Sequence, residues 1–156
     1  MTADVTDRAF ALVNALDASQ QAQAVRGARA IDLVLGPSQP MRVVAPEGLK
    51  ASALTAGQQA LLVDLIGRYV ALLNPEDAAP KLADVQSTLP DTYFAWYGPT
   101  APGSAAYFRI QGPALWIEFA PQGAGGAPTG TPAAPDHVHA IYRDPTNEYG
   151  ARWLAG

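Results

Sequence analysis

The sequence predicts an α+β fold, in which N-terminal helices pack on an antiparallel, meander-like β-sheet formed by the C-terminal half. Apolar residues recur every three or four positions from residue 61 to residue 73, which is typical of an amphipathic helix. After residue 91, aromatic and β-branched residues form short runs that are typical of strands. We therefore expect one domain over residues 1–156, with a helical part over about 1–88 and a sheet part over about 89–156.

The N-terminal part predicts one helix, then a segment that fits either a helix or a strand, and then a short strand. Asp4 or Thr6 is a suitable N-cap, apolar residues follow at helical spacing, and Gly27 is a suitable stop. Residues 28–35 fit either a short helix or a strand. Residues 41–45 predict a short strand, because proline and glycine follow it closely.

The strongest helix prediction begins at Thr55. Thr55 and Gln58 have the spacing of a capping box, in which each side chain bonds the other residue's backbone N–H. A second helix is expected from Pro75, which suits the first helical position, through Val85. Pro80 is the weak point of this second prediction, since proline removes a helical hydrogen bond.

The C-terminal part predicts four strands. They are expected at residues 92–97, 106–110, 114–120 and 137–143. Gln111-Gly112-Pro113 is expected to form the hairpin turn between the second and third of these strands. Pairing Ile110 with Leu115 would place Arg109 opposite Trp116 and Tyr107 opposite Glu118.

Side chains alternate between the two faces of a strand, which sorts these residues into two sets. The expected core face carries Phe108, Ile110, Leu115, Ile117 and Phe119. If Val138 joins it, the opposite face carries Tyr107, Arg109, Trp116, Glu118, His137, His139, Ile141 and Arg143. Alternation alone therefore predicts a polar, aromatic-lined face that contains both histidines of the chain.

His137 and His139 are candidate ligands of a divalent metal ion, because neutral imidazole is the commonest protein ligand for such ions. Glu118 is the predicted third ligand or a general base, and Asp136 is the next candidate. Two histidines with a carboxylate suit iron, or zinc with an open position, and imidazoles also suit copper. The alternative interpretation is that both histidines make ordinary hydrogen bonds or face solvent.

Two arginines on the same face predict an anionic small-molecule ligand, since guanidinium offers a planar fork of donors. In a catalytic site, Arg109 and Arg143 would orient the substrate beside Glu118, and Trp116 and Tyr107 would line the ligand pocket. A structural ion pair from either arginine to Glu118, Asp144 or Glu148 is the interpretation that we favour.

Several linked motifs resemble the DUF3500 family, a bacterial and fungal family of unknown function. They are Thr92 to Gly98 (TYFAWYG), Tyr107 to Pro113 (YFRIQGP), Trp116 to Phe119 (WIEF), and His137-Val138-His139 followed by Tyr142 to Pro145 (YRDP) and Asn147 to Gly150 (NEYG). The resemblance covers roughly residues 44–154 and implies that the chain corresponds to the C-terminal half of longer family members. It departs from the family pattern at Glu148, where an aspartate is expected. It implies no particular activity.

Composition excludes several other classes of protein. Acidic residues outnumber basic ones, giving a net charge of −4 without a basic cluster, which argues against nucleic-acid binding. No apolar run is long enough to span a membrane. The absence of cysteine excludes disulfides, thiol nucleophiles and Cys-ligated metals. No signal peptide is visible, so a cytoplasmic location is the default expectation.

These observations favour a metal-binding protein, or a metal-dependent enzyme with hydrolytic or oxidative chemistry. The metal would be zinc, copper or iron. One alternative is a metal-free module that binds a ligand or a partner, and another is metal-free acid/base catalysis by the histidines. A homodimer is compatible with the sequence, and the sequence does not decide whether the protein is an enzyme.

Overall fold

The computed structural model describes residues 2–36, 44–123 and 132–147. In these ranges the helices are α1 (Thr2–Ala15), α2 (Ala18–Ala24), α3 (Ala56–Val70) and α4 (Pro75–Thr88). The strands are β1 (Val25–Gly27), β2 (Leu49–Lys50), β3 (Tyr93–Tyr97), β4 (Tyr107–Gly112), β5 (Leu115–Pro121) and β6 (Val138–Arg143). Short 3-10 helices occupy Ala51–Ala53 and Leu89–Asp91. The predicted α+β class is confirmed.

The first helical region differs from the prediction of one helix ending at Gly27. Asp17 begins a second helix, since its carboxylate accepts a hydrogen bond from the Gln20 backbone N–H at 2.8 Å. The Gln20 side chain accepts in return from the Asp17 N–H at 3.0 Å, which completes a capping box. Val25–Gly27, which include the expected stop, form β1 instead. The first helix also begins at Thr2, ahead of both predicted caps.

The two later helices follow the sequence prediction. Thr55 and Gln58 form the expected capping box at the start of α3. Helix α4 begins at Pro75, contains Pro80 and continues to Thr88. Residues 28–35 form neither the helix nor the strand that was considered for them, and their path is irregular. Of the strand expected at 41–45, residues 41–43 lie outside the described ranges and the remainder is irregular.

Strands β3 to β6 form the predicted antiparallel meander, and two further short strands extend it. Both pair with the edge of β3 that faces away from β4, where β1 runs parallel and β2 runs antiparallel to β3. The sheet is therefore mixed, and β6 is its last strand on the other side among the described residues.

The predicted register of the β4–β5 hairpin is wrong by two residues. Ile110 pairs with Ile117, and Arg109 lies opposite Glu118. The turn contains Pro113 and Ala114, so that Gly112 still belongs to β4 and pairs with Leu115. A slip of two residues changes the partners but keeps each side chain on its expected face, because the alternation has a period of two.

Within residues 2–36, 44–123 and 132–147, helices cover one face of the sheet and leave the other without a helix. The buried cluster joins apolar residues of α1 and α3 to the core face of the sheet, which includes Phe94, Trp96, Phe108, Ile110, Leu115, Ile117 and Phe119. Val138 and Tyr142 of β6 pack against the same cluster, as the alternation predicts. None of the helices in the described ranges has the length and apolar character needed to cross a bilayer.

Candidate functional site

The helix-free face of the sheet carries the predicted polar side chains, and those of β4 and β5 are buried, whereas His139 of β6 is exposed. Exposure is at most 4% for Tyr107, Arg109, Trp116 and Glu118. Two irregular segments lie over them, residues 28–36 and residues 44–48. These covering segments take the place of the helices found on the other face, so the β4 and β5 part of the predicted polar, aromatic-lined face is a closed polar layer.

The Glu118 carboxylate is the centre of this layer. Its Oε2 accepts hydrogen bonds from the Val34 backbone N–H at 2.5 Å and from the Tyr107 hydroxyl at 2.8 Å. Its Oε1 accepts from the Leu35 backbone N–H at 2.8 Å and from Trp116 Nε1 at 2.7 Å. Four donors satisfy a carboxylate that is fully buried, so Glu118 holds residues 34 and 35 against the sheet.

Tyr107 is protonated in this arrangement. Burial, followed by the negative charge of Glu118, raises the pKa of the Tyr107 hydroxyl far above its ordinary value. The raised pKa favours the protonated hydroxyl at neutral pH, in which form it donates to the Glu118 carboxylate. Tyr107 thus acts as a hydrogen-bond donor to Glu118.

Arg109 forms an ion pair, as the structural interpretation expects, but with a partner that the sequence did not indicate. Its Nη2 lies 2.5 Å from Oε1 of Glu47, in the second covering segment. The guanidinium also lies over the Trp116 ring, with Cζ 5.0 Å from the ring centroid. Among the described residues, the buried Nε of Arg109 has no hydrogen-bond partner. Tyr97 also donates to Glu47 at 3.0 Å.

The two histidines lie side by side at the start of β6. Their ring centroids are 5.2 Å apart and the rings are nearly perpendicular, at 83°. His137 Nδ1 lies 2.7 Å from the Gly123 carbonyl oxygen, so this nitrogen carries the hydrogen in the neutral ring. The backbone of His137 is held as well, since its carbonyl accepts from the Gln122 N–H at 2.7 Å.

Glu118 lies on the same face of the sheet as His139, but the two residues are not paired across the strands. In the sheet, His139 pairs with Ala120, and Glu118 pairs with Ile141. Among the described residues, no group of three or more His, Cys, Asp or Glu side chains could hold a metal ion together. Asp136, the other predicted carboxylate ligand, is exposed next to His137. The roles predicted for Glu118 as third ligand or general base stay predictions that this geometry does not favour.

A cleft lies between residues 33–36 and β6. Its volume is about 650 Å³, within the range of about 300–1,000 Å³ typical of small-molecule sites. Its lining includes Leu33, Leu35, His139, Ile141, Arg143 and Asn147. Three of these, His139, Arg143 and Asn147, belong to the HVH and YRDPTN motifs. Among the described residues of the polar face, His139, Ile141 and Arg143 line this cleft.

A second ion pair, just beyond the end of β6, was not predicted from the sequence. Lys81 of α4 donates to Asp144 Oδ2 at 2.8 Å and to the Ala114 carbonyl at 2.6 Å. Partial burial raises the pKa of Asp144, but hydrogen bonds from Lys81 and Thr146 and the lysine charge together lower it below its ordinary value. Asp144 is thereby committed to fastening the end of β6 to α4. Only the turn sequence at residues 144–147 hinted at this.

Comparison with known proteins identifies the family. Residues 1–151 match the family model described as "Protein of unknown function (DUF3500)". The chain belongs to the DUF3500 family. The match extends the resemblance, expected over residues 44–154, to the N-terminal helices of this DUF3500 protein. Correspondence to the C-terminal half of longer members stays a prediction. No curated protein and no solved structure matches the chain.

The geometry separates two groups of residues in this DUF3500 protein. Glu118, Tyr107, Trp116 and Arg109 form a closed network that holds the covering segments. The HVH and YRDPTN motifs instead supply side chains to the rim of the cleft. The candidate binding side chains are therefore concentrated on β6 and the turn after it.

Proposed function

We propose that this DUF3500 protein binds a divalent transition-metal ion through His137 and His139. The observation that carries the proposal is the pairing of the two rings, with centroids 5.2 Å apart and His137 Nδ1 bonded to the Gly123 carbonyl. A histidine metal ligand commonly donates its other ring N–H to a carbonyl or carboxylate, which fixes the tautomer and orients the ring. His137 therefore offers the lone pair of Nε2.

The ring spacing is compatible with one shared ion. Two nitrogens that are each about 2.1 Å from a tetrahedrally coordinated ion are about 3.4 Å apart. Small side-chain rotations of His139 can reach this distance, because its ring is exposed and makes no hydrogen bond within the described part of the chain. The remaining coordination positions would be filled by water or by a ligand, since Glu118 is occupied by four donors. An open site of this kind suits zinc or copper.

The test separates metal binding from the hydrogen bond of His137. We would titrate the untagged protein with zinc and with copper(II) against a chromophoric chelator. His137→Asn keeps an amide donor close to the position of Nδ1 and removes Nε2, whereas His139→Ala removes the second ring. Both variants are expected to bind at least about 10-fold more weakly than the wild type. Gln23→Ala, on an exposed surface of α2, is the control and should bind normally.

Wild-type protein that binds about one ion per chain, with loss in both histidine variants, would support the proposal. Equal binding by the wild type and by His137→Asn would contradict it, because the hydrogen bond would then be the only role of that ring. Binding of neither ion by the wild type would contradict it as well.

A metal-free ligand-binding function is the second candidate, and the cleft favours it. The cleft has the volume of a small-molecule site and combines apolar side chains with His139 and Arg143. Ligand binding that is unchanged by removal of all metal with a chelator would select this second function. Neither candidate requires an enzymatic reaction.

A further inference from the structure

We infer that the cleft beside β6 binds an organic carboxylate with an apolar body. The inference rests on the proposed function for one end of the ligand, where the carboxylate would complete the coordination of a metal held by His139. The rest of the ligand would lie along the apolar wall of the cleft.

Apolar side chains form the middle of the cleft. Ile141 lies on β6 between His139 and Arg143, and alternation places these three side chains on the same face. Leu33 and Leu35 line the cleft from the covering segment. A ligand with a hydrocarbon body would lose its exposure to water between these two sides, which is the main favourable term in such binding. The volume of about 650 Å³ leaves room for a body of this kind.

The groups at the two ends of the cleft suit an anion, because a guanidinium donates to carboxylates and a metal ion on His139 would be positively charged. Arg143 and His139 stand about 13 Å apart along the strand, at the two ends of the apolar strip. Asp144 is the one acidic residue among the described residues of the lining, and Lys81 neutralises it at 2.8 Å. A metal ion on His139 would add further positive charge. A neutral or cationic ligand would gain none of this attraction.

The apolar wall is held in place by a buried charge. The Val34 and Leu35 amides both donate to Glu118, so the segment that carries Leu33 and Leu35 is bonded to the sheet at two adjacent points. Asp32 adds a third attachment, accepting from the Gln122 side chain at 2.7 Å. A preformed wall lowers the entropy cost of binding. Glu118 is thus a positioning residue for the cleft.

Octanoate and octanamide are suitable probes, because they share one hydrocarbon chain and differ in charge. Each would be titrated by calorimetry into the protein loaded with one equivalent of zinc, and separately into the metal-free protein. Octanoate is expected to bind the zinc-loaded protein saturably, at one molecule per chain and at least about 10-fold more tightly than octanamide. Binding to the metal-free protein is expected to be weaker.

Two variants test the location of the probe. Leu33→Asp places a negative charge on the apolar wall and should weaken octanoate binding at least about 10-fold. Leu72→Asp introduces the same change at a side chain that is 59% exposed outside the cleft, and should leave binding unchanged. Ile141→Asp tests the opposite wall if the first variant is poorly folded, which circular dichroism would report.

The outcomes distinguish this inference from the proposed metal site. Zinc retention without octanoate binding would overturn the inference and leave the metal site standing. Octanoate binding that neither cleft variant weakens would also overturn it. If zinc is not retained, the metal site fails, and the metal-free titration decides the cleft: binding that Leu33→Asp abolishes supports an anion-binding cleft, and no binding overturns it.

Discussion

Arg109 and Glu118 lie directly opposite each other on β4 and β5, yet different groups satisfy their charges. Arg109 pairs with Glu47 of residues 44–48, whereas Glu118 accepts four hydrogen bonds, two of them from residues 28–36. Opposite charges at facing positions commonly contact each other. Here each charge holds one covering segment, so the buried polar layer connects the sheet to two irregular parts of the chain.

Glu118→Gln should lower the free energy of unfolding by about 3 kcal/mol, because an amide nitrogen would face donors where a carboxylate oxygen accepted. Two of the four donors would lose their acceptor. The measurement is urea unfolding followed by tryptophan fluorescence. Asp7→Asn removes an exposed carboxylate and should change stability by less than about 0.5 kcal/mol. Equal stability of the two variants would contradict the structural role of Glu118.

The four donors around Glu118 also form an anion site that an added carboxylate could occupy. Glu118→Ala should be destabilised, and acetate should restore part of the lost thermal stability in a saturable manner, since acetate replaces the missing group. Acetamide and sodium chloride at matched concentrations are the controls and should not restore it. A rise in Tm that is equal for acetate and chloride would indicate a general salt effect instead.

The sequence predicted the faces of the sheet better than its pairing. Alternation placed Phe108 and Ile117 toward the core and Arg109 and Glu118 on the other face, and the structure agrees. It could not fix the hairpin register, because a slip of two residues leaves every face unchanged. The register depends on where the turn falls around Pro113, and Gly-Pro sequences fit more than one turn.

The candidate site was predicted only in part, for a related reason. The spacing of His137 and His139 was enough to place them together, because that relationship is local. The burial of Glu118 depends on backbone amides of Val34 and Leu35, which lie more than eighty residues away in the sequence. Backbone donors carry no residue-specific signal. Glu47 was equally hard to predict, since its role depends on the path of a loop.

Gly48 and Gly103 form a matched pair for testing the second covering segment. Both have positive φ, 95° and 83°, so alanine is strained at each. At Gly48 an added Cβ would meet the Phe94 carbonyl, whereas at Gly103 nothing lies within 4 Å. Gly103→Ala should lower the free energy of unfolding by about 1 kcal/mol, and Gly48→Ala should lower it by about 3 kcal/mol or more. Urea unfolding measures both. Similar losses would mean that the segment of Gly48 can move away from β3.

Lys81→Met should destabilise the protein by about 1–2 kcal/mol, because it leaves the Ala114 carbonyl and the Asp144 carboxylate without their shared donor. Methionine keeps most of the packing of the lysine side chain. Lys50→Met is the control, since the pair of Lys50 with Asp91 is largely exposed and should contribute nothing measurable. Urea unfolding at pH 7 measures both. An equal loss of stability in the two variants would contradict the expectation that the more buried pair, Lys81 with Asp144, contributes more than the exposed one.

The pair of Lys81 with Asp144 predicts that the stability of the protein depends on pH. The pKa of Asp144 is lowered in the folded state, so its contribution to stability is present above the unfolded pKa, about 3.9, and decreases as pH falls through the folded value. Among the described residues, the charged groups around Asp144 include Lys81 and, 3.8 Å beyond the lysine, Asp84. The difference in stability between wild type and Asp144→Asn should therefore be largest at neutral pH and shrink below about pH 4. A constant difference would contradict this linkage.

Loss of the hydroxyl should change the stability of the protein in opposite directions at two buried tyrosines, Tyr69 and Tyr107. Within the described part of the chain, the buried hydroxyl of Tyr69 has no hydrogen-bond partner, whereas that of Tyr107 donates to Glu118 at 2.8 Å. Tyr69→Phe should keep or raise stability by up to about 1 kcal/mol, since an unsatisfied polar group is removed. Tyr107→Phe should lower it by about 2 kcal/mol, because a bond to a buried charge is lost. Thermal and urea unfolding compare the pair.

Alkaline pH tests the same burial. Burial raises the pKa of Tyr69 and Tyr107 above the ordinary range and that of Tyr142 to about 12. Their contribution to stability is fully present below the unfolded pKa, about 10, and is lost as pH rises toward the folded values. Absorbance at 295 nm should show these phenols ionising together with unfolding. Tyr69→Phe should reduce the alkaline loss of stability, and an unchanged loss would show that the Tyr69 ring is accessible to water in solution.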